Sequence, residues 1–307
     1  MARFVLGRLL QALVTLWMVV TIVFFLARLT GDPIALLGGE YMTPEFEAEL
    51  RARYGLDKPV WQQYLIYIGQ IARGDFGTSI VSGEPALEQV MERWPATLEI
   101  GAVGVLVTLV LALPIGVYAA AQRGSPLDYA ARGFAVLGQA IPGFWVGLIF
   151  ILVFAVELRL LPAGGRGGPQ HVILPALTTG WFAVAGIMRL TRSSMLEVLG
   201  SEYVKLARAK GLPMHVVVWK HAFRNAAIPV LTYTALVVVS LFLTGSIVAE
   251  TVFSYPGVGS LLIDAVRKRD FPQLQAAVLF LSALYVLVNL GVDLLYGYLD
   301  PRIRPGH

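Results

Sequence analysis

Long apolar runs alternate with shorter polar segments along most of the 307-residue chain. Six of these runs have the length, about 20 residues, that a helix needs to cross the hydrocarbon core of a bilayer. They lie at about 9–29, 97–121, 134–158, 172–190, 226–249 and 274–298. The pattern predicts an all-α polytopic membrane protein with six transmembrane helices. Pro114 and Pro142 lie inside these runs and predict kinks, not breaks.

The longest polar region, residues 30–96, follows the first apolar run and carries ten acidic side chains. Helix-start signals predict three helices in it, at about 43–54, 59–71 and 84–93. The acidic surplus suits the outer face of a membrane, so we predict a helical extracytoplasmic insertion after the first helix. The first run is long for a signal-peptide core and no small-residue cleavage site follows Phe25, which favours an uncleaved anchor.

One long polar segment, residues 201–229, interrupts the apolar second half of the chain with the sequence SEYVKLARAKGLPMHVVVWKHAFRNAAIP. Its lysines and arginines outnumber the single acid Glu202, and such charge is too costly in lipid, so the segment must be a loop exposed to water. Ser201 can cap a helix of two to three turns that Gly211 and Pro213 end. A short capped helix on a membrane loop has the shape of a docking element. The alternative is an ordinary basic loop without a partner.

The residues of this loop resemble the cytoplasmic loop signature of ABC importer permeases, through Ala207, Gly211 and the later pair Ile228-Pro229. Lys205 stands where the general signature has an acid, and the interval from Gly to Pro is longer than in sugar importers. Both departures are usual in the branch that imports dipeptides, oligopeptides and nickel. The resemblance extends over nearly the whole chain in the stretches YGLDKPVWQQYLIYIGQIARGDFGTSI, RWPATLEIG, AIPGFW and YPGVGSLL.

The resemblance implies a type I ABC importer permease-like fold in the plasma (inner) membrane of a prokaryote, with both termini cytoplasmic. It implies three kinds of partner protein: a second, homologous permease subunit as heterodimer partner, two ATP-binding subunits, and an extracytoplasmic substrate-binding protein. The cargo would be dipeptides or oligopeptides. The short helix would be the coupling helix, which sits in a cleft on an ATP-binding subunit and contacts it through Glu202, Tyr203, Ala207, Arg208 and Gly211.

The apolar runs and the resemblance together divide the chain into four regions. These are an N-terminal transmembrane helix (1–29), an extracytoplasmic helical region (30–96), a five-helix permease core (97–300) that includes the cytoplasmic coupling loop 191–225, and a cytoplasmic tail (301–307). Lys and Arg divide almost evenly between the two predicted sides of the membrane. The predicted orientation therefore rests more on the resemblance than on charge.

No enzymatic chemistry is expected from the chain itself. It has no cysteine and no GxxxxGK[ST] phosphate loop, so ATP would be bound by partner subunits and no cofactor is predicted here. No HExxH pair occurs among its four histidines, and neither a metal site nor a catalytic residue is predicted; the histidines are His171, His215, His221 and His307. The net charge of +4 is spread over loops, which favours membrane orientation over nucleic-acid binding.

An alternative function is carried by Asn289 and Asp293, which lie four residues apart on one face of the last apolar run. Polar groups at such positions line water-filled paths or carry protons in ion-coupled secondary transporters. The competing interpretation is structural, with Asp293 near the inner end of its helix and paired with a basic residue such as Arg189. An ion-coupled transporter would work without ATPase partners.

Overall fold

The computed structural model describes residues 2–29, 31–34 and 43–299, without the side chains of residues 2–5, 239, 243–244 and 292–299. Within these ranges the chain is almost entirely helical, and no β-strand occurs apart from an isolated bridge between Thr78 and Pro85. The predicted all-α class is therefore confirmed for the described residues.

Three helices of the described residues precede residue 72 and lie close to where the sequence predicts them. Helix α1 covers Ala2–Leu29, α2 covers Pro44–Arg53 and α3 covers Val60–Ile71. Helix α2 begins where its residues predict, because the Thr43 hydroxyl accepts a hydrogen bond from the Phe46 amide and proline occupies the first helical position.

Helix α4, Ala86–Ala121, is a single helix of 36 residues. The sequence predicts two separate elements in this stretch, a short helix at 84–93 and a membrane span from 97, and that separation is wrong. The helix continues through Pro95 and also through Pro114. Proline removes one backbone donor, and neighbouring groups in a helical bundle can satisfy the carbonyl that it frees.

The third predicted span consists of two helices instead of one. Helix α5 covers Pro126–Ala140, and α6 covers Gly143–Phe150 and continues as a π-helical segment, Ile151–Glu157. The two parts are bent by 111° at the intervening residues, so the predicted kink at Pro142 is a break. Ile141 has an extended backbone (φ −89°, ψ 126°), as expected for a residue that precedes proline.

Residues 158–299 contain seven further α-helices, three of them long. They are α7 (Gln170–Leu199), α8 (Glu202–Ala209), α9 (Met214–Val216), α10 (Phe223–Ser240), α11 (Ser246–Val252), α12 (Val258–Arg267) and α13 (Phe271–Leu299). Two π-helical segments, Val217–Ala222 and Leu241–Gly245, precede and follow α10 without a break in the chain's helical course.

Among the described residues, four helices are long and apolar enough to cross a membrane: Leu6–Leu29, Ala86–Ala121, Gln170–Leu199 and Phe271–Gly291. The bent pair α5 and α6 is a fifth candidate. Helix α10, which covers most of the predicted span at 226–249, is not among them, and the count of six remains a prediction. The side chain of Asp293 lies outside the described residues, so the ion-coupled alternative is not tested.

The chain forms two compact units, Met1–Pro95 with Pro256–His307, and Ala96–Tyr255. The second unit contains the predicted loop and is built on close contact between α4 and α7. A methyl group on Gly116 would lie 2.7 Å from Cβ of Thr191, and one on Gly180 would lie 2.7 Å from the Thr108 hydroxyl. Small residues at such positions let membrane helices approach closely, so α7 is firmly packed where it leads into the loop.

Candidate functional site

The start of α8 lies where the sequence predicts it, but its cap is different. Ser201 has the extended backbone of an N-cap residue (φ −71°, ψ 154°). Its hydroxyl does not accept a hydrogen bond from the first turn of α8, and donates instead to the Val198 carbonyl at 2.6 Å. That carbonyl belongs to the last turn of α7. Ser201 therefore occupies the predicted N-cap position, and its carbonyl accepts from the Lys205 amide at 3.1 Å, but its hydroxyl bonds the preceding helix instead of capping α8.

The end of α8 confirms the prediction for Gly211. This glycine has a left-handed backbone (φ +76°), its amide donates to the Arg208 carbonyl at 2.9 Å, and the next amide, of Leu212, donates to the Ala207 carbonyl at 3.4 Å. These two bonds form a Schellman motif, which satisfies carbonyls at the helix end and reverses the chain. Pro213 follows directly and begins the next helical segment, α9.

One face of α8 is buried in the second unit. Val204 and Ala207 are 0% and 7% exposed and belong to an apolar cluster with Met195 of α7 and Val217 and Val218 of the π-helical segment. The Ala207 side chain therefore faces the protein interior, and the predicted contact of this residue with a partner stays a prediction. The helical period places residues 204 and 207 on one face, which here is the packing face.

The opposite face of α8 is open and mixes charged with apolar groups. Glu202, Lys205 and Arg208 are exposed, and Glu202 pairs with Lys205 at 2.8 Å on the surface. Leu206 is 57% exposed on the same helix, and Leu212 and Met214 extend the apolar part beyond the turn; both are exposed. We call this surface, formed by the exposed residues of 202–214, the loop face. Contact surfaces that combine an apolar centre with a charged rim suit a protein partner.

Tyr203 connects α8 to the helix that follows the loop. Its ring is 44% exposed, and its hydroxyl accepts a hydrogen bond of 2.8 Å from Nδ2 of Asn225, in the first turn of α10. The two helices are thus joined by the apolar cluster on one side and by this bond on the other. A displacement of α8 would be passed to α10 through packed side chains.

A buried ion pair lies beside the loop and was missed in the sequence. The Asp128 carboxylate, at the start of α5, is only 1% exposed. It accepts hydrogen bonds from Arg192 at 2.5 Å and 3.1 Å and from the Gly124 amide at 3.0 Å. The pair joins α5 to α7 two turns before α7 ends. Its partners lie 64 residues apart, so no local pattern could have identified it.

The site offers exposed groups for contact with another molecule. Among the described residues, no group of three or more histidine or acidic side chains could hold a metal ion. Of the predicted contact residues, Glu202, Tyr203, Arg208 and Gly211 lie on the loop face, and Ala207 lies beneath it.

Two family models together match nearly the whole chain. The model of binding-protein-dependent transport system inner membrane components matches residues 112–305, and the model of the N-terminal part of such membrane components matches residues 1–101. The matches cover the loop face and the Asp128–Arg192 pair, and they leave out residues 102–111 in the middle of α4.

Curated relatives agree with the family models over their full length. The chain is 41% identical to the dipeptide transport system permease protein DppB of Escherichia coli (strain K12), and 40% identical to the di/tripeptide transport system permease protein DppB of Pseudomonas aeruginosa (strain UCBPP-PA14). It is 42% identical to the glutathione transport system permease protein GsiC of Salmonella choleraesuis (strain SC-B67). Each comparison covers 99% of both chains.

Proposed function

The chain belongs to the family of inner membrane components of binding-protein-dependent transport systems, and from this membership we propose that it is the permease subunit of an ATP-driven importer of dipeptides or oligopeptides. The resemblance to peptide-type ABC permeases is confirmed by the family models and the relatives. The cargo class is proposed because the similar permeases are named for dipeptide, di/tripeptide and glutathione transport.

The single observation that carries the mechanism is the geometry of α8. The helix is packed by Val204 and Ala207, ended by Gly211 and tied to α10 by Tyr203, while its other face is open. A short rod with these attachments moves as one body. We propose that the loop face docks on an ATP-binding subunit and that closure of the ATPase pair shifts α8 and, through it, α10. Glu202, Tyr203, Arg208 and Gly211 are the proposed contacts.

The proposed assembly has this chain, a second homologous permease subunit, two ATP-binding subunits and an extracytoplasmic substrate-binding protein. In it the chain crosses the inner membrane six times, with α10 and α11 as the fifth crossing and both termini in the cytoplasm. The chain itself performs no covalent chemistry, and ATP is bound by the partner subunits. The region of α2 and α3 lies on the outer side, where the binding protein delivers its ligand.

Purification of the complex in mild detergent tests this function. We expect the tagged chain to retain ATP-binding subunits, and the complex in liposomes to take up a labelled dipeptide with ATP and the binding protein. Arg208→Glu should weaken ATPase retention, because it reverses a charge on the loop face. Arg123→Glu is the matched control, since Arg123 is exposed on a different loop. Uptake that follows an ion gradient without ATP, or a chain that retains no ATPase, would contradict the proposal.

A further inference from the structure

The second unit contains a cavity of about 210 Å³ between α6, α7 and the segment that joins α10 to α11. Its walls include Gly143, Thr178, Thr179, Ser240 and Gly245, with apolar side chains between them. The cavity lies within helices rich in apolar residues and away from the loop face. It has no part in the coupling contacts described above.

Two walls of the cavity have an irregular backbone. Gly143 is the first residue after the 111° bend between α5 and α6, and Gly245 ends the π-helical segment Leu241–Gly245. At membrane depth, such backbone is tolerated where it is buried in protein or lines a water-filled cavity. Interrupted helices in transporters also surround substrate sites, and π-helical turns occur frequently at functional positions.

The polar groups of the cavity are hydroxyls. Thr178 is only 4% exposed, and its Oγ1 has no hydrogen-bond partner among the described residues. Thr179 donates to the Gly245 carbonyl at 3.4 Å, and Ser240 is exposed. The Thr178 oxygen has almost no accessible surface, and six other buried polar side-chain atoms of the described residues also lack a partner, so the exposed Ser240, and not Thr178, offers a hydroxyl to a solute. None of the described lining residues is charged, so the group that fits is an uncharged one, such as an amide.

The two glycines of the cavity differ in the space beside them for a larger side chain. A methyl group added to Gly143 would meet no atom within 4 Å, whereas one added to Gly245 would lie 2.8 Å from Cγ2 of Thr179. Gly143 therefore borders open space, and Gly245 closes the cavity by direct contact with α7.

We propose that this cavity is a segment of the translocation path, in which the Ser240 hydroxyl hydrogen-bonds the neutral amide groups of the passing solute. The proposal rests on the proposed transport function and adds the place and the chemical class of the contact. Charged ends of a peptide would be held elsewhere, because the described residues of the walls offer them no counter-charge.

Thiol labelling tests the proposal directly, because the chain has no cysteine of its own. In the assembled complex, Ser240→Cys should react with a charged, water-soluble methanethiosulfonate reagent, and a dipeptide supplied with binding protein and ATP should slow the reaction several-fold. Leu231→Cys is the matched control. Leu231 is 63% exposed on the same helix but lies half a revolution away, nine residues earlier at about 100° per residue, so it should stay unreactive.

A second variant changes the volume of the cavity without disturbing its walls. Gly143→Leu should reduce ATP-driven dipeptide uptake at least tenfold, because its side chain enters open space, while Gly143→Ala should retain most uptake. Both variants should assemble normally, since the Gly143 backbone is not left-handed and no atom crowds its Cβ position.

The possible outcomes distinguish a failure of the path assignment from a failure of the proposed importer function. An unreactive Ser240→Cys together with normal uptake by Gly143→Leu would overturn the path assignment and leave the importer function intact. A wild-type complex without ATP-driven dipeptide uptake would contradict the proposed function. Labelling of Ser240→Cys without cargo would still decide whether this cavity is an aqueous path.

Discussion

Two short helices in this protein, α8 and α12, end in the same way but differ in what surrounds the end. In α12 the amide of Arg269 donates to the Val266 carbonyl at 3.2 Å and the amide of Asp270 donates to the Ala265 carbonyl at 2.9 Å. This is the Schellman pattern that also ends α8. The left-handed position is Gly211 in α8 and Arg269, with φ +53°, in α12. A non-glycine residue there costs about 1 kcal/mol.

The turn after α12 is fixed by a buried carboxylate. Asp270 is 3% exposed and accepts hydrogen bonds from the Ser79 hydroxyl, from the amides of Ile80 (3.1 Å) and Val81 (3.4 Å), and from the Gln273 amide (3.4 Å). These bonds offset the strain at Arg269. No comparable network of described side chains surrounds Gly211, where a methyl group would meet nothing within 4 Å.

The difference shows how one backbone motif serves two purposes. The end of α12 is joined to a distant segment of its own unit, so its role is internal support. The end of α8 is left open beside a charged and apolar surface, so it is available to a partner. An exposed helix end that has no strain and few internal bonds is what a docking element requires.

The largest effect is expected at Asp270. Asp270→Ala leaves the Ser79 hydroxyl and the Ile80 amide buried without an acceptor, which should lower the free energy of unfolding by roughly 3 kcal/mol. Thermal unfolding of the detergent-purified complex measures this. Asp264→Ala is the control, because Asp264 is exposed on α12, just before the turn that contains Asp270, and its loss should change stability little. Equal stability of both variants would contradict the supporting role.

Substitution of Gly211 should reduce stability less than substitution of Asp270, but it should abolish transport. Gly211→Val places a branched side chain at φ +76° and costs about 1–2 kcal/mol, while membrane insertion should remain normal. The turn would shift the loop face, so uptake and ATPase stimulation by cargo should both be lost. Gly211→Asn should retain activity, because asparagine tolerates this backbone. Normal uptake by the valine variant would show that the turn does not contribute to coupling.

The smallest effect is expected at Tyr203. Tyr203→Phe removes the hydrogen bond from Asn225 but keeps the ring, so stability should fall by at most about 1 kcal/mol. If α8 passes its movement to α10 through this contact, the number of ATP molecules hydrolysed per dipeptide should rise. Asn225→Ala should give the same ratio as Tyr203→Phe, and the double variant should add nothing. Additive changes in the double variant would contradict a shared contact.

The sequence predicted which segments are helical better than it predicted where the helices begin, end or break. Thr43 and Gly211 act within one turn of the backbone, and the helix start and helix end that they predict are those of α2 and α8. The first apolar run agrees with α1. Proline did not behave uniformly. The helix continues through Pro95, next to Trp94, whose ring packs on Phe280 with centroids 5.1 Å apart, and it breaks at Pro142.

By itself, the sequence determined that this is a helical membrane protein of a transport family, because apolar length and the motifs of the loop are local properties. Only the tertiary structure decided that Ala207 is buried, that Ser201 closes α7, and that Asp128 pairs with Arg192. For Ser201 the local pattern left two roles open, at the end of α7 and at the start of α8. The other two findings depend on which face of a helix meets a segment far away in the chain. Residues within a few positions of one another carry no information about that meeting, because it follows from the packing of the whole unit.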